Sequence, residues 1–140
     1  MAPFLVEHAK VARATGEILM EKVNGIGGFF FRSEDPQAMA EWYQTHLGID
    51  PVAEVPWSTA AGHTVFAPFA RDTDYFGRES QQWMINFRVS DMDTMIAQLS
   101  LAGIAVETRA EWDGAYGRFA RIHDPEGNPI ELWQPPALTT

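Results

Sequence analysis

Apolar residues recur at two periods along this chain, and the periods alternate. Phe29, Phe30 and Phe31 within Ile26–Arg32 read as a strand, with Gly25, Gly27 and Gly28 leaving the backbone open to close approach. Asp35 then caps a helix with Pro36 in its first turn. Met39, Trp42, Tyr43, His46 and Leu47 form that helix's apolar stripe, and Gly48 ends it. Ile49–Val55 and His63–Phe69 read as further strands, with Pro68 marking an edge or a bulge. Arg71–Gln81 is polar and breaks both periods, so it reads as a long loop. The pattern then restarts. Trp83–Val89 predicts a strand, and Asp91 caps a helix carrying Met92, Met95, Ile96, Leu99 and Ala102, stopped by Gly103. Ile104–Thr108, Arg118–Ile122 and Ile130–Trp133 follow as strands. Ahead of all this, Met1–Lys22 carries a weak helical face, read as an appendage that packs on the domain or on a partner subunit.

The last two strands flank Asp124-Pro125-Glu126-Gly127-Asn128. Pro at the second position and Gly at the fourth suit a type I turn whose glycine takes positive φ. This hairpin points Glu131 away from the face that carries Ile130 and Leu132. Such a carboxylate is either a solvent-facing residue of a half-exposed strand or a group aimed at a ligand or metal.

Composition narrows the function more than the fold. The 140 residues suit one domain, 46% of them are hydrophobic, and the net charge is −9. That acidity argues against a nucleic-acid binder and against docking on anionic membrane. Cysteine is absent, which excludes disulfides, thiolate metal sites and cysteine catalysis. Apolar runs are too short to span a membrane, and Glu7, His8 and Lys10 interrupt any signal-peptide core. A cytoplasmic protein is the expectation.

The two halves are copies. GFFFRSED at 28–35 lies over MINFRVSD at 84–91, LGI at 47–49 over AGI at 102–104, and GHTVFAPF at 62–69 over GNPIELWQ at 127–134. Neither half buries its helix and sheet alone, so the two are expected to pair into one domain.

With these motifs, DPEGNPIELWQP above all, and with WYQTHLG and WMINFRVSD in support, the sequence resembles the vicinal oxygen chelate superfamily over roughly residues 23–136. That superfamily holds glyoxalase I, extradiol dioxygenases and bleomycin resistance proteins. The resemblance implies an α+β fold of two βαβββ modules around a shared cavity, at about 23–72 and 82–136. The first module is expected to be one strand short. Residues 1–22 would be an N-terminal helical extension and 137–140 a tail.

The resemblance also places four metal-ligand positions, here Gly28, Phe66, Met84 and Glu131. Only Glu131 can bind a divalent ion, so no cofactor is expected, with a divalent metal as the alternative. Strand alternation puts Phe30, Arg32, Phe66, Met84, Asn86, Arg88 and Trp133 on the cavity side with Glu131. Arg32 matches an arginine that contacts a substrate carboxylate in glyoxalase I, so an acidic group on the ligand is expected to meet Arg32 and Arg88. Both arginines could instead pair with Glu34, Asp35 or Asp91 at the strand ends. The reading that results is a metal-independent small-molecule binding protein of the bleomycin-resistance type, acting as a homodimer. The alternative is an enzyme of the superfamily, a lyase, isomerase or dioxygenase, with a rearranged metal site or Glu131 as general base. A third reading is a subunit that uses the fold only for assembly.

Overall fold

The computed structural model describes residues 20–50 and 56–137. Most of the expected extension at 1–22 and most of the expected strand Ile49–Val55 therefore lie outside the described residues. Contacts group the chain into a first unit ending at Phe31 and a second beginning at Arg32.

Within the second unit the chain order is helix α1 (Pro36–Leu47), strand β1 (Ile85–Arg88), helix α2 (Met92–Leu101), a 3-10 turn at Ala110–Trp112, strand β2 (Arg118–His123) and strand β3 (Pro129–Gln134). The strands form one sheet in the order β1-β3-β2. β1 runs parallel to β3, which a helical crossover through α2 allows, and β2 and β3 make an antiparallel hairpin.

Both helices start and stop where their sequences dictate. The Asp35 side chain accepts from the Ala38 amide at 3.1 Å, and Pro36 sits in the first turn, where its missing N–H costs nothing. Gly48, at φ 70°, turns the chain out of α1 while its amide bonds back to Gln44 O. Asp91 accepts from the Thr94 amide at 3.1 Å and the Thr94 hydroxyl at 2.8 Å, and Gly103 stops α2 at φ 80°.

The core lies between the helices and one face of the sheet. Ala120, Ile122, Ile130 and Leu132 are fully covered, as are Met92 and Leu99 of α2, and Met39 and Tyr43 of α1 are buried. Alternation along β2 and β3 sends Arg121, Phe119, Glu131 and Trp133 to the opposite face.

The hairpin turn takes the expected form. The Gly127 amide bonds to Asp124 O at 2.9 Å, and Gly127 has φ 82°. Asp124 is the hub of this turn. One carboxylate oxygen accepts the amides of Glu126 (2.9 Å) and Asn128 (3.0 Å). The other accepts the Asn128 side-chain amide (2.8 Å) and the Tyr43 hydroxyl (2.7 Å), so helix α1 is bonded to the turn. Burial, and then the bond to Asp124, hold the Tyr43 phenol above its ordinary pKa.

The sheet is smaller than the sequence pattern predicts. Ile104–Thr108 contributes a single bridge, Glu107 to Arg121, closed by two backbone bonds of 2.9 and 2.8 Å. Residues 26–32 and 63–69 carry no strand assignment. A β-former becomes a strand only by hydrogen bonding to an edge. The glycines at 25, 27 and 28 and Pro68 also weaken the local bias for extended structure. One βαβββ module is thus recognisable, with its second strand reduced to a bridge.

Candidate functional site

The face of the sheet turned away from the helices is polar at its centre and aromatic around it. Glu131 sits in the middle of the central strand, with Asn86 beside it on β1 and Arg121 beside it on β2. The Asn86 side-chain amide donates to one Glu131 oxygen at 2.8 Å, and the Tyr75 hydroxyl donates to the other at 2.5 Å. Both carboxylate oxygens are thereby engaged. Burial, and next the bond to Glu131, raise the Tyr75 phenol pKa, with Arg121 acting in the opposite sense.

Arg121 is the unusual member of this group. Only 8% of it is exposed, and its buried Nε–H has no hydrogen-bond partner among the described residues. Its guanidinium lies 4.6 Å from the centre of the Tyr75 ring and 5.9 Å from that of Trp112, a cation within reach of two π faces. Around this centre Phe69 stacks on Tyr75 at 5.8 Å, and Phe119 stacks on Trp133 at 6.3 Å with the planes 8° apart. The Trp133 Nε1–H is anchored on Tyr116 O at 2.7 Å.

Of the residues expected from sequence, Asn86, Glu131 and Trp133 stand together on this face. Arg88 is Trp133's neighbour across the ladder, but its guanidinium donates to Ala60 O at 2.7 Å. It packs against the bare Cα of Gly62, where a Cβ would collide with it. Met84 is half-buried just before β1. Phe66 is 91% exposed and Phe30, in the first unit, 92% exposed. Arg32 lines a different cleft of about 360 Å³ with Glu34, Arg78, Pro125, Glu126 and Asn128, and neither Arg88 nor Glu131 is among its walls. Within that cleft Glu126 accepts from the Ser33 hydroxyl at 2.6 Å and the Glu34 amide at 3.0 Å. Those bonds, Ser33's first, lower its pKa. Of the histidines, His46 packs on Trp42 with ring centres 5.4 Å apart, His63 and His123 are exposed, and His8 lies outside the described residues.

Tyr75, Arg121 and Trp112 were not foreseen. Arg121 was legible in principle, because it alternates with Ala120 and Ile122 along an expected strand. Tyr75 and Trp112 sit in irregular segments, where no period assigns a face.

The donor set does not fit a divalent ion. Among the described residues no three His, Asp or Glu side chains converge. Gly28 and Phe66 carry no side-chain donor atom and Met84 offers a soft thioether, which leaves Glu131 as the sole competent ligand of the four expected positions.

A family model matches residues 25–132, and the chain belongs to the glyoxalase/bleomycin resistance protein/dioxygenase superfamily. Among solved structures it is similar to TnmS3, an antibiotic binding protein from Streptomyces sp. CB03234. The identity is 23% and the TM-score 0.51, over 84% of this chain and 100% of that one. It also matches a glyoxalase/bleomycin resistance protein from Streptomyces sp. CB03234 at 34% identity, over 39% of this chain and 46% of that one, with a TM-score of 0.30. No curated protein sequence matches the chain. Among the described residues no helix is long and apolar enough to cross a membrane.

Proposed function

We propose that this protein binds a small, largely aromatic molecule on the Glu131 face of the sheet, and does so without a metal. The observation that carries the reading is the composition of that face. A carboxylate, an amide and a buried guanidinium form its floor, and Trp112, Phe69, Phe119 and Trp133 stand around them. Aromatic walls supply most of the affinity for such a ligand, and a few fixed polar groups set its orientation. The acidic chain and the unsuitable metal donors point the same way. A protein of this fold described as antibiotic binding gives the reading a precedent.

The test is a panel of aromatic antibiotics screened by thermal shift and by quenching of tryptophan fluorescence, with a chelator present. Saturable binding is expected, and Trp133→Ala and Glu131→Ala should weaken it. A ligand at a hundred times its Kd would stabilise the fold by ~2.7 kcal/mol, a readily measured shift. Absence of any saturable binder, or binding that requires added zinc, nickel or manganese, would overturn the proposal.

A further inference from the structure

The segment between Phe69 and β1 places Tyr75 where a ligand of this face would sit. Its backbone bonds among the described residues close within the segment itself: Thr73 to Ala70, Gly77 to Asp74 and Gln81 to Arg78, each 3.0 Å. The second of these is a turn with Tyr75 and Phe76 at its tip, closed by Gly77 at φ 90°. From that tip the Tyr75 ring covers the Arg121 guanidinium and its hydroxyl donates to Glu131.

Tyr75 is therefore a phenol, lying on a cation and donating to a carboxylate, supplied by the chain's own loop. Its fit is incomplete. The Arg121 Nε–H is buried and meets no acceptor among the described residues. A molecule with the same ring and hydroxyl and a further oxygen could satisfy both Glu131 and Arg121. Among the described residues the loop's backbone bonds to no ladder, so displacing the Tyr75 tip breaks side-chain contacts and no strand pairing.

We propose that the Glu131–Asn86–Arg121 face is a site for hydroxylated aromatic molecules, and that Tyr75 occupies the hydroxyl-aryl position until such a ligand displaces it. This rests on the small-molecule reading above and goes further by naming the ligand class and the group it replaces. Binding then carries the cost of expelling Tyr75, so the site is self-competed and selective for ligands that bond Glu131 better than a phenol does.

The test uses 2-naphthol and 2-methoxynaphthalene, which share a ring system and differ in the hydroxyl proton. Their dissociation constants are measured on the full chain as wild type, Tyr75→Ala, Tyr75→Phe and Tyr75→Ala/Glu131→Gln. Removing the occupant should tighten 2-naphthol binding at least tenfold in Tyr75→Ala. Tyr75→Phe keeps the ring, guards against loss of folding in the alanine variant, and should fall between the two. In both single variants 2-naphthol should be preferred over the methyl ether by at least tenfold, and Glu131→Gln should erase most of that preference. Weaker or unchanged 2-naphthol binding in Tyr75→Ala and Tyr75→Phe would make Tyr75 a wall of the site and overturn this inference alone. If neither these probes nor the antibiotic panel binds any variant, the small-molecule reading fails with it.

Discussion

Removing the Tyr43 hydroxyl tests what joins helix α1 to the hairpin. In Tyr43→Phe the ring remains, with its edge-on packing on Phe87 at 6.4 Å, and the 2.7 Å bond to Asp124 is lost. A hydrogen bond to a charged acceptor contributes ~1.5–3 kcal/mol. Asp124 keeps three other donors, from Asn128 and Glu126, so no acceptor is stranded and the cost should sit near the lower end, ~1.5–2 kcal/mol. For a chain of this size that lowers Tm by roughly 5 °C. Asp124→Ala should cost more, about 3–5 kcal/mol, because the Tyr43 hydroxyl and both Asn128 donors lose their acceptor in a buried place. Urea titration followed by tryptophan fluorescence gives both values, with the midpoint falling at constant slope. A second arm uses pH. The folded pKa of Tyr43 lies above the unfolded value, so its contribution is complete below ~10 and is lost as pH rises further, by up to ~1.4 kcal/mol per pH unit. Tyr43→Phe should show a shallower alkaline decline. Equal stability of Tyr43→Phe and wild type at pH 7, with parallel alkaline limbs, would refute the reasoning.

Three further outcomes are expected. Gly117→Ala should destabilise by at least ~2 kcal/mol in the same titration, because φ is 117° there and a Cβ would strike the Gln134 carbonyl oxygen and come within 3.0 Å of Trp133 Nε1. Ser33→Ala should flatten the acid limb of Tm: the Glu126 pKa is lowered on folding, so its bond stabilises fully above the ordinary glutamate value and is lost as pH falls through the folded value. We also expect a homodimer, since Val65 and Phe66 in the second unit, and Val23, Ile26 and Phe30 in the first, are 69–95% exposed apolar side chains. Sedimentation velocity showing only a 15.7 kDa species at micromolar concentration would dispose of it.

The second half of the chain was far more legible than the first. Its strands alternate cleanly, its helix is capped by Asp91 and stopped by Gly103, and its turn carries a Pro and a Gly at positions with one structural use each. Local chemistry alone settles such elements. The segments at 26–32 and 63–69 have strand composition but no ladder, and composition says nothing about whether an edge is present to pair with. The site divides in the same way. Asn86, Glu131 and Trp133 follow from period two once the strands are known. Arg88 was expected on the cavity side, and its long side chain reaches the Ala60 carbonyl, which a face assignment cannot foresee. Arg32 was grouped with Arg88 by the repeat, whereas it lines the cleft beside the Asp124–Asn128 turn. Tyr75 depends on a loop path that only tertiary contacts define.

The turn that anchors α1 also decides where Glu131 points. Strand side chains alternate faces, so a one-residue slip of β3 against β2 would exchange Glu131 and Trp133 for Ile130, Leu132 and Gln134. A carboxylate would then enter the layer occupied by Met92 and Leu99, at a cost of several kcal/mol, and two aliphatic side chains would enter water. The register is held from both ends. At one end Asp124 gathers four donors and Gly127 supplies the positive φ; at the other, Gly114 and Gly117 form a bridge, and Gly117 packs too tightly on the Gln134 carbonyl for any larger residue. Tyr43 adds a tie from helix α1 to the first of these ends. The polar centre of the candidate site is therefore set by residues that never touch it. Loosening Asp124 or Gly117 should disturb ligand recognition at Glu131 along with stability, whereas changes at Tyr75 or Arg121 should act on recognition while the register holds.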